Sequence, residues 1–279
     1  MRLIDGQWQE RVPADDRGLQ YGDGLFETVA CRDGRPLLWE RHLARLEVGC
    51  LRLGMAPPER DLLTEEARQC LAGQGGDVLK LIITRGSGGR GYRPGNAVPR
   101  RIFSCHPRPA CPARFWRDGV HGRWGSTRLG WQPALAGLKH LTRLEQVLAR
   151  HEWDHPDVPE GLMLDHGGAV VAGTQSNLFL VKDGGLRTPE LEECGVAGVM
   201  RGMLWEVAAA QGLRVEQTRL TAEDVGAARE VFLTNSLIGV WPVAQIQERA
   251  CGQGPIARQL AGALAQYSAY PQEMRDALA

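Results

Sequence analysis

The 279-residue sequence has no apolar run approaching the ~20 residues that span a bilayer, so no membrane crossing is expected. It has no excess of either charge, with 33 Lys and Arg against 33 Asp and Glu. A neutral chain has no bulk field to draw it onto nucleic acid or a lipid surface, so an anionic ligand needs a local cradle. CxxC pairs are also absent. The seven cysteines, Cys31, Cys50, Cys70, Cys105, Cys111, Cys194 and Cys251, sit singly in apolar segments. They read as free thiols of a cytoplasmic protein. The opening MRLIDGQWQE is polar within its first ten residues and lacks an apolar stretch behind it, which argues against a secretory leader. No repeat or low-complexity tract interrupts the chain. What is there is ordinary globular composition, 43% hydrophobic and 24% charged, with enough length for one large or two modest domains.

Periodicity divides the chain. Leu3 and Ile4, a turn at Asp5 and Gly6, and Trp8 predict a hairpin. Residues 24–31, a turn at Asp33 and Gly34, and Pro36 to Trp39 predict a second. Leu43, Leu46, Cys50 and Leu53 recur at helical spacing up to Gly54, and a further helix runs over about 59–71. Strands are expected at 78–84 and 101–104, with a Gly- and Pro-dense loop between them. Three prolines within 106–113 mark a domain boundary. The expected organisation is a smaller domain over 1–107, a linker over 108–118 and a larger domain over 119–279. In the second half a strand covers 119–129, and the chain turns helical after Lys139, with Leu141, Leu144, Val147 and Leu148 on one face. A hairpin over 161–172, strands near 178–182, 213–219, 230–234 and 239–242, and a helix from about 198 to 211 follow. A short helix near 221–226 and a C-terminal helix complete the pattern. Hairpins mixed with helices indicate an α+β fold rather than regular βαβ alternation.

Two familiar motifs lack their context. Gly86 to Gly91 fits GxGxxG, but Pro94, Gly95 and Pro99 forbid the helix that a dinucleotide-binding turn must open. A mobile loop is the better reading. His151 to His155 fits HExxH, the signature of a zinc hydrolase, yet Pro156 and Pro159 end the helix at once. The site expected here therefore contains no metal.

Lys139 is different. It stands among Leu135, Leu138 and Leu141, just ahead of a helix. Desolvation disfavours an ammonium and lowers its pKa, which a Schiff-base lysine requires. Taken alone, such a lysine more often snorkels to water.

The blocks around it carry more. IDGQWQ at 4–9, DRGLQYGDGLFET at 16–28, HLARL at 42–46, TRGSGGRGY at 84–92, GLKHLTRLEQVLAR at 137–150, SNLFL at 176–180 and GVAGVMR at 195–201 appear in order. In this the chain resembles, over nearly its whole length, the fold type IV family of pyridoxal phosphate (PLP) enzymes. That family holds the 4-amino-4-deoxychorismate lyases and the branched-chain and D-amino-acid aminotransferases. The RGSGGRGY and KHLxRLEQ blocks resemble the lyases more.

The resemblance implies a two-domain α+β fold with PLP between the domains, carried as an imine on Lys139. It implies that Arg45 grips the phosphate, that the backbone N–H groups of Val199 and Met200 point at it from a helix start, and that Ser236 completes the cup. It makes Thr28 a proton relay facing the cofactor, and Arg90 and Tyr92 contacts for a dicarboxylate substrate. It implies a small-molecule substrate and a homodimer, with no nucleic acid or membrane partner. The reaction implied is loss of pyruvate from 4-amino-4-deoxychorismate to give 4-aminobenzoate, a folate precursor.

The sequence departs from the family at Ala172, where a glutamate pairs with the pyridine nitrogen. The nearest acids along the chain are Asp165 and Asp183. Thr142 also replaces an Asn of the closest relatives. Three other readings stay open: a PLP aminotransferase, a zinc hydrolase through His151 and His155, and a PLP-binding protein without activity.

Overall fold

The computed structural model describes residues 1–252, 254–268 and 270. These fall into two compact units, Met1–Pro109 with Leu138–Arg143, and Ala110–Gly137 with Leu144–Ala279.

The first unit opens with strands β1 (Arg2–Ile4) and β2 (Gln7–Gln9) and the short helix α1 (Arg17–Tyr21). Strands β3 (Gly24–Arg32) and β4 (Arg35–Pro36) follow, then helices α2 (Trp39–Arg52) and α3 (Arg60–Gln74), then strands β5 (Val78–Thr84) and β6 (Arg100–His106). Among the described residues these strands form one six-stranded sheet, ordered β2-β1-β6-β5-β3-β4, with every pair antiparallel. Its period of two sorts the side chains. Leu25, Val29, Leu79, Leu81, Ile83 and Phe103 are all buried, as are Leu43, Leu46 and Cys50 on the inner side of α2. Helix α2 packs on β3, and α3 on β1 and β6. Each such aliphatic side chain contributes roughly 1.5–3 kcal/mol on burial. The alternate residues Phe26, Thr28 and Lys80 are only part-buried and share the other face, with Thr28 directly opposite Lys80.

The second unit contains α4 (Arg114–Arg117), β7 (Val120–Leu129), α5 (Leu144–Arg150), β8 (Glu160–Asp165), β9 (Val170–Gly173), β10 (Asn177–Lys182) and β11 (Gly185–Pro189). It continues with α6 (Val199–Ala210), β12 (Val215–Thr218), α7 (Ala222–Ala227), β13 (Glu230–Asn235), β14 (Gly239–Ile246), β15 (Arg249–Ala250) and α8 (Pro255–Ala263). Its sheet runs β12-β11-β10-β13-β14-β7-β8-β9, with β15 beside β14. The sheet is mixed: β7–β8, β7–β14 and β11–β12 are parallel. Strands covered on both sides read as unbroken apolar runs. In β8 every residue is buried, and in β10 all but the last. The α+β class expected from the mixture of hairpins and helices holds.

Several elements differ from expectation. Helix α4 and strands β11 and β15 form where no element is expected, and Trp39 opens helix α2 instead of ending a strand. Helix α5 begins at Leu144, not directly after Lys139. Its stripe of Leu144, Val147 and Leu148 is 74%, 48% and 60% exposed, because among the described residues nothing lies over it. Helix α1 is not visible as a pattern, having five residues and no apolar periodicity. Among the described residues no helix is long and apolar enough to cross a membrane.

Candidate active site

The lysine-bearing segment belongs to the first unit's sheet. Phe26 N–H donates to the Lys139 carbonyl (3.0 Å), and Leu141 N–H donates to the Gly24 carbonyl (3.0 Å). Leu25 and His140 form the bridge between these two bonds. Residues 139–141 thus extend the edge of β3, which sets Lys139 on the same face as Phe26. Its Nζ lies 4.3 Å from the Phe26 ring centroid, and Lys80 Nζ reaches the same ring at 5.7 Å. Burial lowers the Lys139 pKa to about 8, and Arg45, Arg143 and Lys80 add to the effect while Glu27 opposes it. The amine is therefore half-buried, crowded by cations and easily neutralised.

Behind it stands a carboxylate that the sequence reading passed over. Glu27 is 1% exposed, on the face shared with Leu25 and Val29. Helix α2 supplies its partners. Arg45 Nε donates to Glu27 Oε1 (2.8 Å), Arg45 Nη2 donates to Oε2, and His42 Nδ1 stands 2.6 Å from Oε2. Burial alone would push the Glu27 pKa up, but Arg45 and His42 outweigh it and hold it at about 2. Burial, with Arg45 and Lys139, keeps the His42 pKa below its ordinary value despite Glu27. A neutral His42 then donates from Nδ1, and the fork of Arg45 is fixed by a bidentate pair. A signal for this was present: period-two alternation sets Glu27 between apolar neighbours, where a charge must find partners. His42 and Arg45 lie three apart on a helix and meet that demand. Lys80, inside the apolar run VLKLIIT, carries the same kind of signal.

In the second unit, α6 starts at Gly198 with no capping side chain. The first N–H groups of a helix have no intrahelical acceptor, so those of Val199 and Met200 point out of its end. Both side chains are buried. Asn177, at the start of β10, ties this end down: its Nδ2 donates to the Val196 carbonyl (2.9 Å), and its Oδ1 fills the space that a Cβ at Gly198 would take (2.1 Å). Asn235 Nδ2 donates to the Gln175 carbonyl (3.1 Å), which sets the turn bearing Ser236 beside the same strand end. Ala172 lies on β9 opposite Met163 in a cluster with Leu129, Ala149 and Val171. The carboxylate nearby is Glu160, 1% exposed, and it is occupied: it accepts from Gly161 N, Thr174 N, Gln175 N and Ser176 Oγ.

Of the residues expected at the site, Lys139, Thr28 and Arg45 gather around β3 in the first unit, and Val199, Met200 and Ser236 around the start of β10 in the second. Arg90 and Tyr92 are exposed on the loop between β5 and β6. The HExxH segment is built for another purpose. Helix α5 ends at Arg150, His151 and His155 are exposed, and Glu152 accepts from Ser126 N (2.7 Å) and Thr127 N (2.8 Å). Among the described residues no cluster of three or more His, Cys, Asp or Glu side chains is placed to hold a metal ion.

The chain is 38% identical over 247 residues to an aminodeoxychorismate lyase of Vibrio harveyi, covering 88% of this chain and 91% of that one. It is 30% identical to a putative branched-chain-amino-acid aminotransferase of Methanocaldococcus jannaschii, over 90% and 88% of the two chains. The crystal structure of 4-amino-4-deoxychorismate lyase from Pseudomonas aeruginosa superposes with a TM-score of 0.92 at 50% identity, covering 95% of this chain and 98% of that one. Residues 24–246 match the family described as amino-transferase class IV, and the chain belongs to that family.

Proposed function

We propose that this protein is a PLP-dependent lyase that releases pyruvate and 4-aminobenzoate from 4-amino-4-deoxychorismate. The observation that carries the reading is the half-buried amine of Lys139, poised near pH 8 among cations on the face of β3. Similarity to two lyases, at 50% and 38% identity, selects this reaction within the family.

The residues suit the cofactor. An amine of lowered pKa takes an aldehyde readily. The uncapped start of α6, with Val199 and Met200, offers N–H groups to a phosphate, and Ser236 adds a hydroxyl. Arg45, its fork steadied by Glu27, adds positive charge. When bound, PLP supplies an electron-poor ring that drains charge from the substrate.

The chain's own groups do the rest. Lys139 Nζ is the covalent anchor. As a free amine beside the bound substrate it would take the ring proton from the nitrogen-bearing carbon, and the enolpyruvyl C–O bond on the neighbouring carbon would break. Thr28, on the Lys139 face, delivers a proton to the departing enolpyruvyl fragment. Lys80 adds a cation on that face, and Arg90 and Tyr92 meet a substrate carboxylate. With Ala172 in place of a carboxylate, the electron sink is weaker. Elimination that ends in an aromatic ring is downhill and tolerates this better than amino transfer does. A branched-chain or D-amino-acid aminotransferase is the second reading, favoured by the 30% identical relative.

A homodimer in the cytoplasm belongs to the same proposal. The exposed stripe of α5 is apolar surface that self-association would cover, and the seven cysteines are free. Sedimentation of the purified protein at twice the chain mass supports the dimer, and a monomer removes it.

Borohydride reduction of the protein with PLP, followed by peptide mapping, should label Lys139. Lys139→Ala should lose turnover by orders of magnitude. Pyruvate release without amino transfer to a 2-oxo acid selects the lyase. A label on another lysine, or full turnover in Lys139→Ala, ends the proposal.

A further inference from the structure

The glycine-rich loop between β5 and β6 does not hang free. Arg17, the first residue of α1, is 3% exposed, although it is an arginine on a short surface helix. Its Nε donates to Asp23 Oδ2 (3.0 Å), its Nη1 to the Gly91 carbonyl (2.8 Å) and its Nη2 to the Tyr92 carbonyl (3.0 Å). One guanidinium thus grips two consecutive carbonyls of the loop. Its carbon also lies 4.8 Å above the Tyr21 ring, and Tyr21 in turn meets the Tyr92 ring edge-on at 5.6 Å.

The rest of the loop is shaped around this arginine. A Cβ at Gly88 would come within 3.0 Å of Arg17 Cδ, so glycine there makes room for the stem. Gly86 has φ +88, and its carbonyl accepts from Arg17 N (3.0 Å). The base is fixed from the same segment. Asp16 is fully buried and takes Thr84 Oγ1 (2.9 Å) and Arg100, while Ser87 Oγ donates to Asp15 (2.9 Å). The DRG and RGSGGRGY blocks therefore form one physical unit, with Arg17 as its clasp.

We infer that Arg17 is a positioning residue for substrate: by holding the carbonyls of residues 91 and 92 it fixes the backbone on which Arg90 and Tyr92 are presented to a substrate carboxylate. This rests on the lyase reading above for the role of Arg90 and Tyr92, but not for the clasp itself. Arg17 is buried beneath the loop, and its donors go to Asp23 and the two carbonyls. Removing its two donors frees the loop without altering the amine of Lys139.

The test uses the PLP-loaded protein. Amide hydrogen exchange over residues 86–93 is measured without substrate for wild type, Arg17→Met, Arg17→Lys and Gly88→Ala. Steady-state pyruvate release and the visible absorption of the bound cofactor are measured for the same set. Arg17→Met should speed exchange in the loop and raise KM by about tenfold, the worth of about one charge-assisted hydrogen bond, with kcat and the absorption spectrum little changed. Arg17→Lys, which keeps the charge but loses the fork, should fall between. Gly88→Ala keeps Arg17 and should move both readouts in the same direction, so it decides the matter if Arg17→Met does not fold. Unchanged exchange in the folded variants overturns the clasp. Faster exchange with an unchanged KM overturns the positioning role. If wild type releases no pyruvate, the lyase reading fails instead, and exchange still decides the clasp.

Discussion

At the scale of single residues, the site depends on one amine being neutral when lysines elsewhere are not. Lys139 has an ordinary value of 10.5, and burial among cations brings it to about 8. The neutral fraction at a given pH below 8 is therefore larger by more than a hundredfold than for an exposed lysine. In the cofactor-free protein, the rate at which Lys139 captures PLP should rise through about pH 8 and level off above it. Stopped-flow absorbance across pH 6 to ~11 reads this directly. A midpoint near 10.5 would show that the amine is solvated.

At the scale of elements, the geometry of α6 rests on a missing side chain. Gly198 leaves room for Asn177 Oδ1, and Asn177 holds the approach to the helix through Val196. A methyl at Gly198 meets that oxygen at 2.1 Å and shifts either the asparagine or the first turn. Gly198→Ala should weaken PLP retention by about tenfold or more in equilibrium dialysis. Gly202→Ala is the control within the same helix, since its Cβ meets nothing within 4 Å, and it should retain PLP as wild type does. The strand carrying Glu27 makes a parallel point. A single alternating strand delivers Phe26 and Thr28 to the Lys139 face and Glu27 to α2, so one element serves the site from both sides.

At the scale of the whole molecule, these buried charges set how stability responds to acid. Glu27 titrates near 2 in the folded chain against an ordinary 4.5. A carboxylate whose folded pKa is depressed contributes stability that is complete above the unfolded value and is lost as pH falls through the folded one. The contribution is roughly 3 kcal/mol, lost between about pH 4.5 and 2. His42, also depressed, contributes in the same direction, beginning as pH falls below its ordinary 6.5. Urea unfolding should therefore show stability falling steadily below pH 6.5. Glu27→Gln should lower stability at pH 7 by roughly 3 kcal/mol, since it removes the buried carboxylate that pairs with Arg45 and His42. It should also flatten the decline between pH 4.5 and 2, where wild type loses this pair.

The sequence by itself determined the local elements and the candidate lysine. The turns at Asp5-Gly6 and Asp33-Gly34, the stripe of Leu43, Leu46 and Cys50, and the strands at 78–84 and 178–182 follow from short-range periodicity and turn chemistry, and they formed where the pattern predicted. The ordered motif blocks pointed to the family and to Lys139. Only the tertiary structure decided the partners. That residues 139–141 extend the β3 edge, that Arg45 turns its fork to Glu27, and that Arg17 grips the Gly91 and Tyr92 carbonyls are pairings between distant parts of the chain. Periodicity records which face a side chain takes, but not what waits on the other side. A buried charge announces a need for a partner, and the fold alone supplies the one that answers it.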